Sequence, residues 1–261
     1  MDNIVVFTSS FEVLEVLDNF FKINTVYCEN DKYNLMLFNY CKWQSIPIIL
    51  VSKEKEILEA MPDNIDIGIS YGFGLIFKKI IIGKIPKGIW NIHTGSLPNY
   101  RGRHPVTCAF LNGDKKIGVT IHQIDKYIDK GVELASDYVS RSMNDDLKNI
   151  EDKVISLLKE RLIFKAINNF KNKNVHKIED GDYCESFLNG ISVDSVSDID
   201  GYYLFNAIKA QKIFGGVNVE GRIYNDAYFY NEKFAHLLQG ADIVECKDGI
   251  KLALFDKKIN I

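Results

Sequence analysis

Ile4-Val5-Val6-Phe7, followed by Thr8-Ser9-Ser10, opens the chain with the pattern that decides its fold. The apolar run is β-branched and aromatic, which predicts a short buried strand. The hydroxyl side chains after it can cap the start of a helix. Apolar residues then recur at helical spacing, namely Phe11, Leu14, Leu17 and Phe21. The sequence therefore predicts a strand that leads directly into a helix.

The same alternation continues along the chain. A second strand is predicted to end at Tyr27-Cys28, and a helical stretch from Asp31 to Trp43 follows it. Ile46-Pro47-Ile48-Ile49-Leu50-Val51 predicts a third strand, and residues 65–71 alternate as a fourth. Strands that alternate with helices are typical of an α/β protein with a mostly parallel sheet and helices on both faces.

Further strands are predicted at 88–93, 117–124 and 132–139, and then one long helix capped by Asp146. The composition changes at Lys171-Asn172-Lys173-Asn174, which is polar. We therefore expect an N-terminal catalytic domain over residues 1–172, a linker over 173–191 and a small C-terminal domain over 192–261.

The expected C-terminal domain begins with a short helix that ends near Gly215-Gly216. Short apolar pieces follow, divided by the predicted turns Asn225-Asp226 and Lys247-Asp248-Gly249. This pattern predicts a small β-rich appendage. Its many aromatic side chains favour a homodimer, since aromatic residues are enriched at interfaces.

Composition excludes several classes of partner. The 261 residues carry a net charge of −3, and the isoelectric point is near 6.0, so a broad nucleic-acid-binding face is not expected. No apolar run approaches the roughly 18 residues that a membrane span needs. The start of the chain, Met1-Asp2-Asn3-Ile4, does not resemble a signal peptide.

The cysteines suggest neither a zinc site nor a disulfide framework. They are five in number and widely spaced, at Cys28, Cys41, Cys108, Cys184 and Cys246. An odd count without C-x-x-C spacing favours reduced thiols, and we therefore expect a cytoplasmic protein.

The stretch with the most chemistry runs from Asn91-Ile92-His93 to Asp129-Lys130-Gly131. Asn91 and His93 lie two positions apart at a strand end, so their side chains share one face. Asp129 is predicted to lie in a turn between two later strands of the same sheet. A carboxylate beside an imidazole stabilises its protonated form, and an amide can donate to an oxyanion. These groups are suited to acyl transfer to an amine.

Other chemistries fit less well. Ser96 lacks the G-x-S-x-G setting of a nucleophile, and Cys108 falls within a predicted helix. Gly72-Phe73-Gly74 is a weak dinucleotide signature, because the third glycine position holds Phe77. His93, His104 and His122 fall within thirty positions as candidate zinc ligands, but without metal-ligand spacing, so we expect no metal.

At these residues the sequence resembles the 10-formyltetrahydrofolate-dependent formyltransferases. The motifs that carry the resemblance are Asn91-Ile92-His93, Ser96-Leu97-Pro98, Tyr100-Arg101-Gly102, Pro105, Gly118-Val119-Thr120 and Asp129-Lys130-Gly131. It implies a Rossmann-like formyltransferase domain, with Asn91, His93 and Asp129 as the catalytic set and 10-formyltetrahydrofolate as co-substrate.

The same resemblance implies where the ligands bind. The pterin ring would lie near Leu75, Ile76 and Phe77 and near the turn that holds Asp125 and Tyr127, although core packing explains the first set as well. The segment after His93 reads Thr-Gly, where much of the family has a proline first, and Arg-Gly-Arg-His-Pro follows further on. This form is similar to sugar N-formyltransferases that act on dTDP-linked amino sugars in lipopolysaccharide O-antigen biosynthesis.

Substrate contacts are then implied for the motif loop, at Ser96, Arg101, Gly102, Arg103 and His104. Guanidinium groups pair well with phosphate oxygens, so Arg101 and Arg103 are the residues to meet a pyrophosphate, with solvent-exposed loop charge as the alternative. Methionyl-tRNA formyltransferase and a non-catalytic binder of folate or a nucleotide sugar remain alternatives. The glycinamide ribonucleotide enzyme lacks the appendage, and formyltetrahydrofolate hydrolase carries an extra N-terminal domain.

Overall fold

The computed structural model describes residues 1–256. It is a mixed α/β fold with a mostly parallel central sheet and a separate small β-sheet at the C-terminal end, as the sequence predicts. The described chain divides into two compact units that interleave in sequence. The first unit contains residues 1–101, 118–139 and 153–183, and the second contains the remaining described residues. The predicted boundaries at residues 172 and 191 stay a prediction.

The central sheet has eight strands in the order β3-β2-β1-β4-β5-β6-β7-β8. Their bounds are β1 Asn3–Thr8, β2 Lys22–Glu29, β3 Ile48–Val51, β4 Ile67–Tyr71, β5 Ile89–His93, β6 Lys116–Gln123, β7 Val132–Ser140 and β8 His176–Lys177. The first five strands pair in parallel, whereas β6 is antiparallel to β5 and β8 to β7. The two-residue strand β8 falls within the predicted linker, where the sequence predicts no strand.

Eight α-helices connect the strands of the described chain. They are α1 Phe11–Asp18, α2 Leu35–Trp43, α3 Glu54–Glu59, α4 Lys79–Lys84, α5 Pro105–Leu111, α6 Leu147–Leu157, α7 Ile163–Lys171 and α8 Gly201–Gln211. A π-helical turn, Leu158–Leu162, joins α6 to α7 where the sequence predicts one continuous helix. Short 3₁₀ helices cover Val196–Asp198, Lys212–Phe214 and Glu232–Leu237. Within residues 1–256 no helix has the length and apolar character to span a bilayer.

Side-chain caps determine where the first helices begin. The Ser10 hydroxyl accepts a hydrogen bond from the Val13 amide at 3.3 Å, which confirms the predicted cap of α1. The second helix begins at Leu35, four residues later than predicted, because the Asn34 side chain accepts from the Leu37 amide at 3.0 Å. A cap satisfies an amide that the helix itself leaves unpaired, and so it marks the first turn.

The core of the first unit forms around β1. Phe7 is fully buried, and its ring lies 5.1 Å from that of Tyr27 and 4.7 Å from that of Phe77 between centroids. Aromatic pairs at these separations stabilise the fold by more than the burial of their surface area alone would. The packed core holds β1 and β4 side by side, and β4 in turn pairs with the strand that carries Asn91 and His93.

The second sheet confirms the predicted β-rich appendage. Its strands are β9 Ser192–Val193, β10 Val217–Val219, β11 Arg222–Phe229, β12 Asp242–Glu245 and β13 Lys251–Asp256, in the order β12-β13-β11-β10-β9. The predicted turn at Asn225-Asp226 is wrong, because both residues lie inside β11 at a shift of register. Asp226 accepts hydrogen bonds there from Lys209 Nζ at 2.5 Å and Lys212 Nζ at 2.8 Å.

The expectation that all five cysteines are reduced is wrong for one pair. Cys108 and Cys184 form a disulfide across 76 positions of sequence, with their Cα atoms 6.1 Å apart. Both residues belong to the second unit. Cys28, Cys41 and Cys246 are buried free thiols. Sequence spacing does not reveal a bridge between positions this distant, because only the fold brings them together.

Candidate active site

Neighbouring strands of the central sheet bring three polar side chains to one place. Within the antiparallel pair β5–β6, Asn91 lies opposite His122 and His93 lies opposite Thr120. Successive side chains of a strand alternate between its two faces, so Asn91 and His93 share a face, as predicted. His122, directly across from Asn91, adds a second imidazole to this group.

Asp129 reaches the same place from the turn between β6 and β7. Its Oδ2 atom lies 3.8 Å from His93 Nδ1, and its Oδ1 atom lies 3.3 Å from His122 Nε2. The side chain is buried. The structure thus brings Asn91, His93 and Asp129 together as the sequence predicts, and their catalytic roles stay predictions.

Gly131 fixes the path of the turn that carries Asp129. A Cβ atom at position 131 would lie 1.6 Å from the carbonyl oxygen of Gln123, far closer than a Cβ atom approaches a non-bonded oxygen in any protein. Only glycine allows the two backbone segments to approach this closely. Asp129 itself has a φ of 52°, in the left-handed region. The Asp-Lys-Gly motif is therefore a packing requirement as well as the source of a carboxylate.

His93 is buried and has one well-defined hydrogen bond. Its Nε2 atom lies 2.8 Å from the carbonyl oxygen of Tyr100. A carbonyl oxygen can only accept, so Nε2 carries the hydrogen and, in the neutral ring, Nδ1 holds the lone pair that faces Asp129. Burial lowers the pKa of His93, and His122 lowers it further, while Asp129 and the Tyr100 carbonyl act in the opposite direction. At neutral pH the His93 imidazole is therefore uncharged.

The loop after β5 is held tightly against β6. Thr120 Oγ1 donates to the carbonyl oxygen of Gly95 at 2.8 Å. A Cβ atom at Gly118 would lie 2.6 Å from the backbone of Ser96, and one at Gly181 would lie 2.3 Å from the Pro98 carbonyl oxygen. These close approaches fix the backbone that leads to the Tyr100 carbonyl, and with it the orientation of the His93 ring.

His122 is the member of the cluster that the sequence did not identify as part of the acid–base group. Its side chain is 1% exposed, and Nε2 lies 3.3 Å from Asn91 Nδ2 as well as from Asp129. From the sequence it was a candidate only as a zinc ligand. The signal that would have found it is the register between β5 and β6, since the residue opposite Asn91 must share its face.

Arg101 does not lie on an exposed loop, which was the alternative to a ligand contact. It is 3% exposed, its guanidinium carbon lies 4.0 Å above the ring centroid of Tyr183, and Nη1 lies 3.8 Å from Asp180 Oδ1. The Nε and Nη1 atoms are buried and have no hydrogen-bond partner among the described residues. A contact between Arg101 and a pyrophosphate stays a prediction.

The residues predicted to hold the folate differ in exposure. Phe77 packs in the core, while Ile76 is 68% exposed and Leu75 is intermediate. Across the predicted pterin site, Tyr127 is 55% exposed, and its backbone amide donates to Asp125 Oδ1 at 2.7 Å. A ligand at the first loop would therefore meet Ile76 and the backbone, because the Phe77 ring is engaged with Phe7.

The remaining predicted substrate residues divide between the units. Ser96 is exposed and belongs to the first unit, whereas Gly102, Arg103 and His104 belong to the second. In the second unit, His104 Nδ1 accepts a hydrogen bond from the Phe187 amide at 2.9 Å, and Arg103 is exposed. Burial lowers the pKa of His104, and the charge of Arg103 lowers it further.

A family model described as formyl transferase matches residues 38–167 of the chain. These residues include Asn91, His93, His122 and Asp129. The chain contains a formyl transferase domain.

Curated relatives of this formyl transferase domain include methionyl-tRNA formyltransferases. That of Borreliella burgdorferi is 30% identical over 193 residues, which is 72% of this chain and 60% of the relative. That of Pediococcus pentosaceus is 32% identical over 142 residues, 54% of this chain and 44% of the relative. The chain thus matches about half of the length of such relatives.

Solved structures match the whole described architecture. One is WlaRD, a sugar 3N-formyl transferase in the presence of dTDP and 5-N-formyl-THF, with a TM-score of 0.69, 20% identity and 99% of both chains covered. Another is the N-formyltransferase of Helicobacter canadensis in complex with folinic acid and dTDP-3-aminofucose, with a TM-score of 0.67, 18% identity, and 98% and 99% covered. At these identities the likeness is one of fold.

Proposed function

We propose that the protein is a sugar N-formyltransferase. In this proposal it moves a formyl group from 10-formyltetrahydrofolate to the amino group of a dTDP-linked amino-6-deoxyhexose. The observation that carries the proposal is the buried, uncharged imidazole of His93 between the Tyr100 carbonyl and the Asp129 carboxylate. The appendage adds support, since the fold matches dTDP-sugar formyltransferases over nearly the full length of both chains.

The cluster fits the demands of acyl transfer to an amine. The folate co-substrate supplies a formyl carbonyl whose oxygen becomes more negative when an amine attacks the carbon. The Asn91 side-chain amide can donate a hydrogen bond to that oxygen, a type of contact that contributes about 10²- to 10³-fold in rate. No protein nucleophile is required, because the amine attacks directly.

The proton of the attacking amine must also be removed. Because burial keeps His93 uncharged, its Nδ1 lone pair can accept a proton at neutral pH. Asp129 Oδ2, at 3.8 Å, then stabilises the imidazolium that results. General base catalysis of this kind contributes about 10²- to 10⁴-fold. In this account His93 holds the proton at Nδ1 while Nε2 stays bonded to the Tyr100 carbonyl. It returns that proton to the tetrahydrofolate nitrogen as the bond between this nitrogen and the formyl carbon breaks.

The two ligands have separate proposed contacts. Exposed apolar and aromatic surface at Ile76 and Tyr127 would receive the pterin ring of the folate. Arg101, Arg103 and His104 of the motif loop would contact the nucleotide sugar. We further propose a homodimer that serves lipopolysaccharide O-antigen biosynthesis, with no nucleic-acid or membrane partner. The disulfide between Cys108 and Cys184 removes reduced thiols as an argument for a cytoplasmic location. Light scattering of the purified protein would test the dimer.

Purified protein incubated with 10-formyltetrahydrofolate and a panel of dTDP-linked 3-amino- and 4-amino-6-deoxyhexoses tests the main proposal. We expect a formamide product by mass spectrometry together with an equal amount of tetrahydrofolate. His93→Gln and Asp129→Asn variants should lose most of this turnover. Full activity in either variant would contradict the catalytic assignment, and release of formate without an acceptor would indicate a hydrolase.

Methionyl-tRNA formyltransferase is the second candidate. The relatives that are 30–35% identical carry that name, which favours it. The net charge of −3 weighs against it, because a tRNA partner is usually met by a basic surface. Turnover with charged initiator tRNA and none with any amino sugar would select this candidate over the first. Binding of folate or nucleotide sugar with no turnover on either acceptor would indicate a non-catalytic binder.

A further inference from the structure

His122 occupies the position between the amide and the carboxylate of the cluster. Its Nε2 atom lies 3.3 Å from Asn91 Nδ2 on one side and 3.3 Å from Asp129 Oδ1 on the other. Nδ1, at the far side of the ring, lies 3.4 Å from the carbonyl oxygen of Gln123. The family motif explains Asn91, His93 and Asp129, but it leaves this second imidazole without a role.

One nitrogen atom cannot serve both neighbours in the same way. If Nε2 lacks a hydrogen, it can accept from the Asn91 amide, but its lone pair then faces the oxygen of a buried carboxylate. If Nε2 carries a hydrogen, it can donate to Asp129. A hydrogen bond to a carboxylate is about twice as strong as one between neutral groups, and burial increases the difference. The contact of Nδ1 with the Gln123 carbonyl is neutral and longer, so it does not outweigh this preference.

We infer that His122 is a positioning residue, which donates its Nε2 hydrogen to Asp129 Oδ1 and thereby holds Oδ2 toward His93 Nδ1. This inference rests on the proposed function for its effect on turnover. It has a second consequence for Asn91. An Nε2 that carries a hydrogen cannot accept from the Asn91 side chain, so the amide hydrogens of that side chain remain available for the substrate carbonyl.

Two variants separate positioning from simple packing. His122→Gln keeps a side-chain N–H donor near the position of Nε2, whereas His122→Leu keeps bulk and removes the donor. We expect His122→Leu to lower kcat about 10- to 100-fold, as loss of a partner that orients a functional group does in metal sites. The KM values for folate and acceptor should change by less than about threefold, and His122→Gln should recover most of kcat. Equal losses in both variants, or a loss confined to KM, would overturn the inference.

A spectroscopic measurement on the unmodified protein requires no substrate. Nitrogen-15 labelling of the histidines with long-range ¹H–¹⁵N correlation reports which ring nitrogen carries hydrogen. We expect Nε2 of His122 to be protonated, and a His122 ring protonated at Nδ1 alone would overturn the inference. This result stands even if no acceptor is formylated, in which case the proposed function fails separately. It also decides the inference if His122→Leu does not fold.

Discussion

Replacement of Gly131 by alanine should impair the site without touching any of its polar side chains. The new Cβ atom would lie 1.6 Å from the Gln123 carbonyl oxygen, whereas Cβ atoms in proteins essentially never approach a non-bonded atom closer than 3.0 Å. The turn must therefore move by at least about 1.4 Å, and Asp129 lies only two residues away. The carboxylate would leave its place beside His93 and His122.

The magnitude follows from the size of this displacement. A misplacement of about 1 Å at a reacting group costs on the order of 10²-fold in rate, so we expect kcat to fall by at least about 10²-fold. Forcing an extra carbon into a closely packed place costs about 1–3 kcal/mol. Alanine also lowers the entropy of the unfolded chain, which offsets about 0.4–1 kcal/mol of that loss. The free energy of unfolding should therefore fall by roughly 1–2 kcal/mol.

Steady-state formyl transfer and urea unfolding measure the two effects. Gly83→Ala is the matched control, because Gly83 is an exposed position of α4 where an added Cβ would meet nothing within 4 Å. That variant should keep its kcat and gain up to about 1 kcal/mol from the better helix propensity of alanine. A Gly131→Ala protein with the kcat of the unmodified chain would refute the reasoning.

Three further outcomes are expected. Asn91→Ala should lower kcat about 10²- to 10³-fold in steady-state assays with unchanged urea unfolding, and an unaffected kcat would remove Asn91 from the mechanism. Burial lowers the pKa of His93 below its ordinary 6.5, so the unfolded chain takes up a proton first as the pH falls below that value, and the free energy of unfolding declines. Urea unfolding at about pH 7.5 and 5.5 should therefore show a smaller decline in His93→Gln than in the unmodified protein. Equal declines in the two proteins would contradict this. Reduction of the Cys108–Cys184 bridge, which spans 76 positions, should lower the free energy of unfolding by about 4 kcal/mol, a change that Cys108→Ser should reproduce and make insensitive to reductant.

Local patterns were sufficient to predict the fold and three members of the site. The period of two along a strand places Asn91 and His93 on one face, because that rule depends only on positions within the same strand. Asp129 could be placed near them once it was assigned to a turn of the same sheet. Ser10 marked the start of α1 correctly, since capping chemistry acts within a single turn.

Features that depend on distant pairing could not be predicted in the same way. His122 joins the site through the register of β6 against β5, and Cys108 lies next to Cys184 only because the fold of the second unit brings them together. The turn predicted at Asn225-Asp226 failed for a related reason. These residue types favour turns locally, but pairing with β13 and the two lysine hydrogen bonds hold them in a strand.

The hydrogen bond from His93 to the Tyr100 carbonyl does not depend on which side chain occupies position 100. The acceptor is a main-chain oxygen, so every amino acid that tolerates position 100 supplies it. Tyr100 has a φ of 56°, in the left-handed region that glycine and asparagine adopt most readily, so these two residues are the replacements expected to keep the backbone in place. The side chain at position 100 can therefore change during evolution or engineering while the carbonyl that sets the tautomer of His93 is retained.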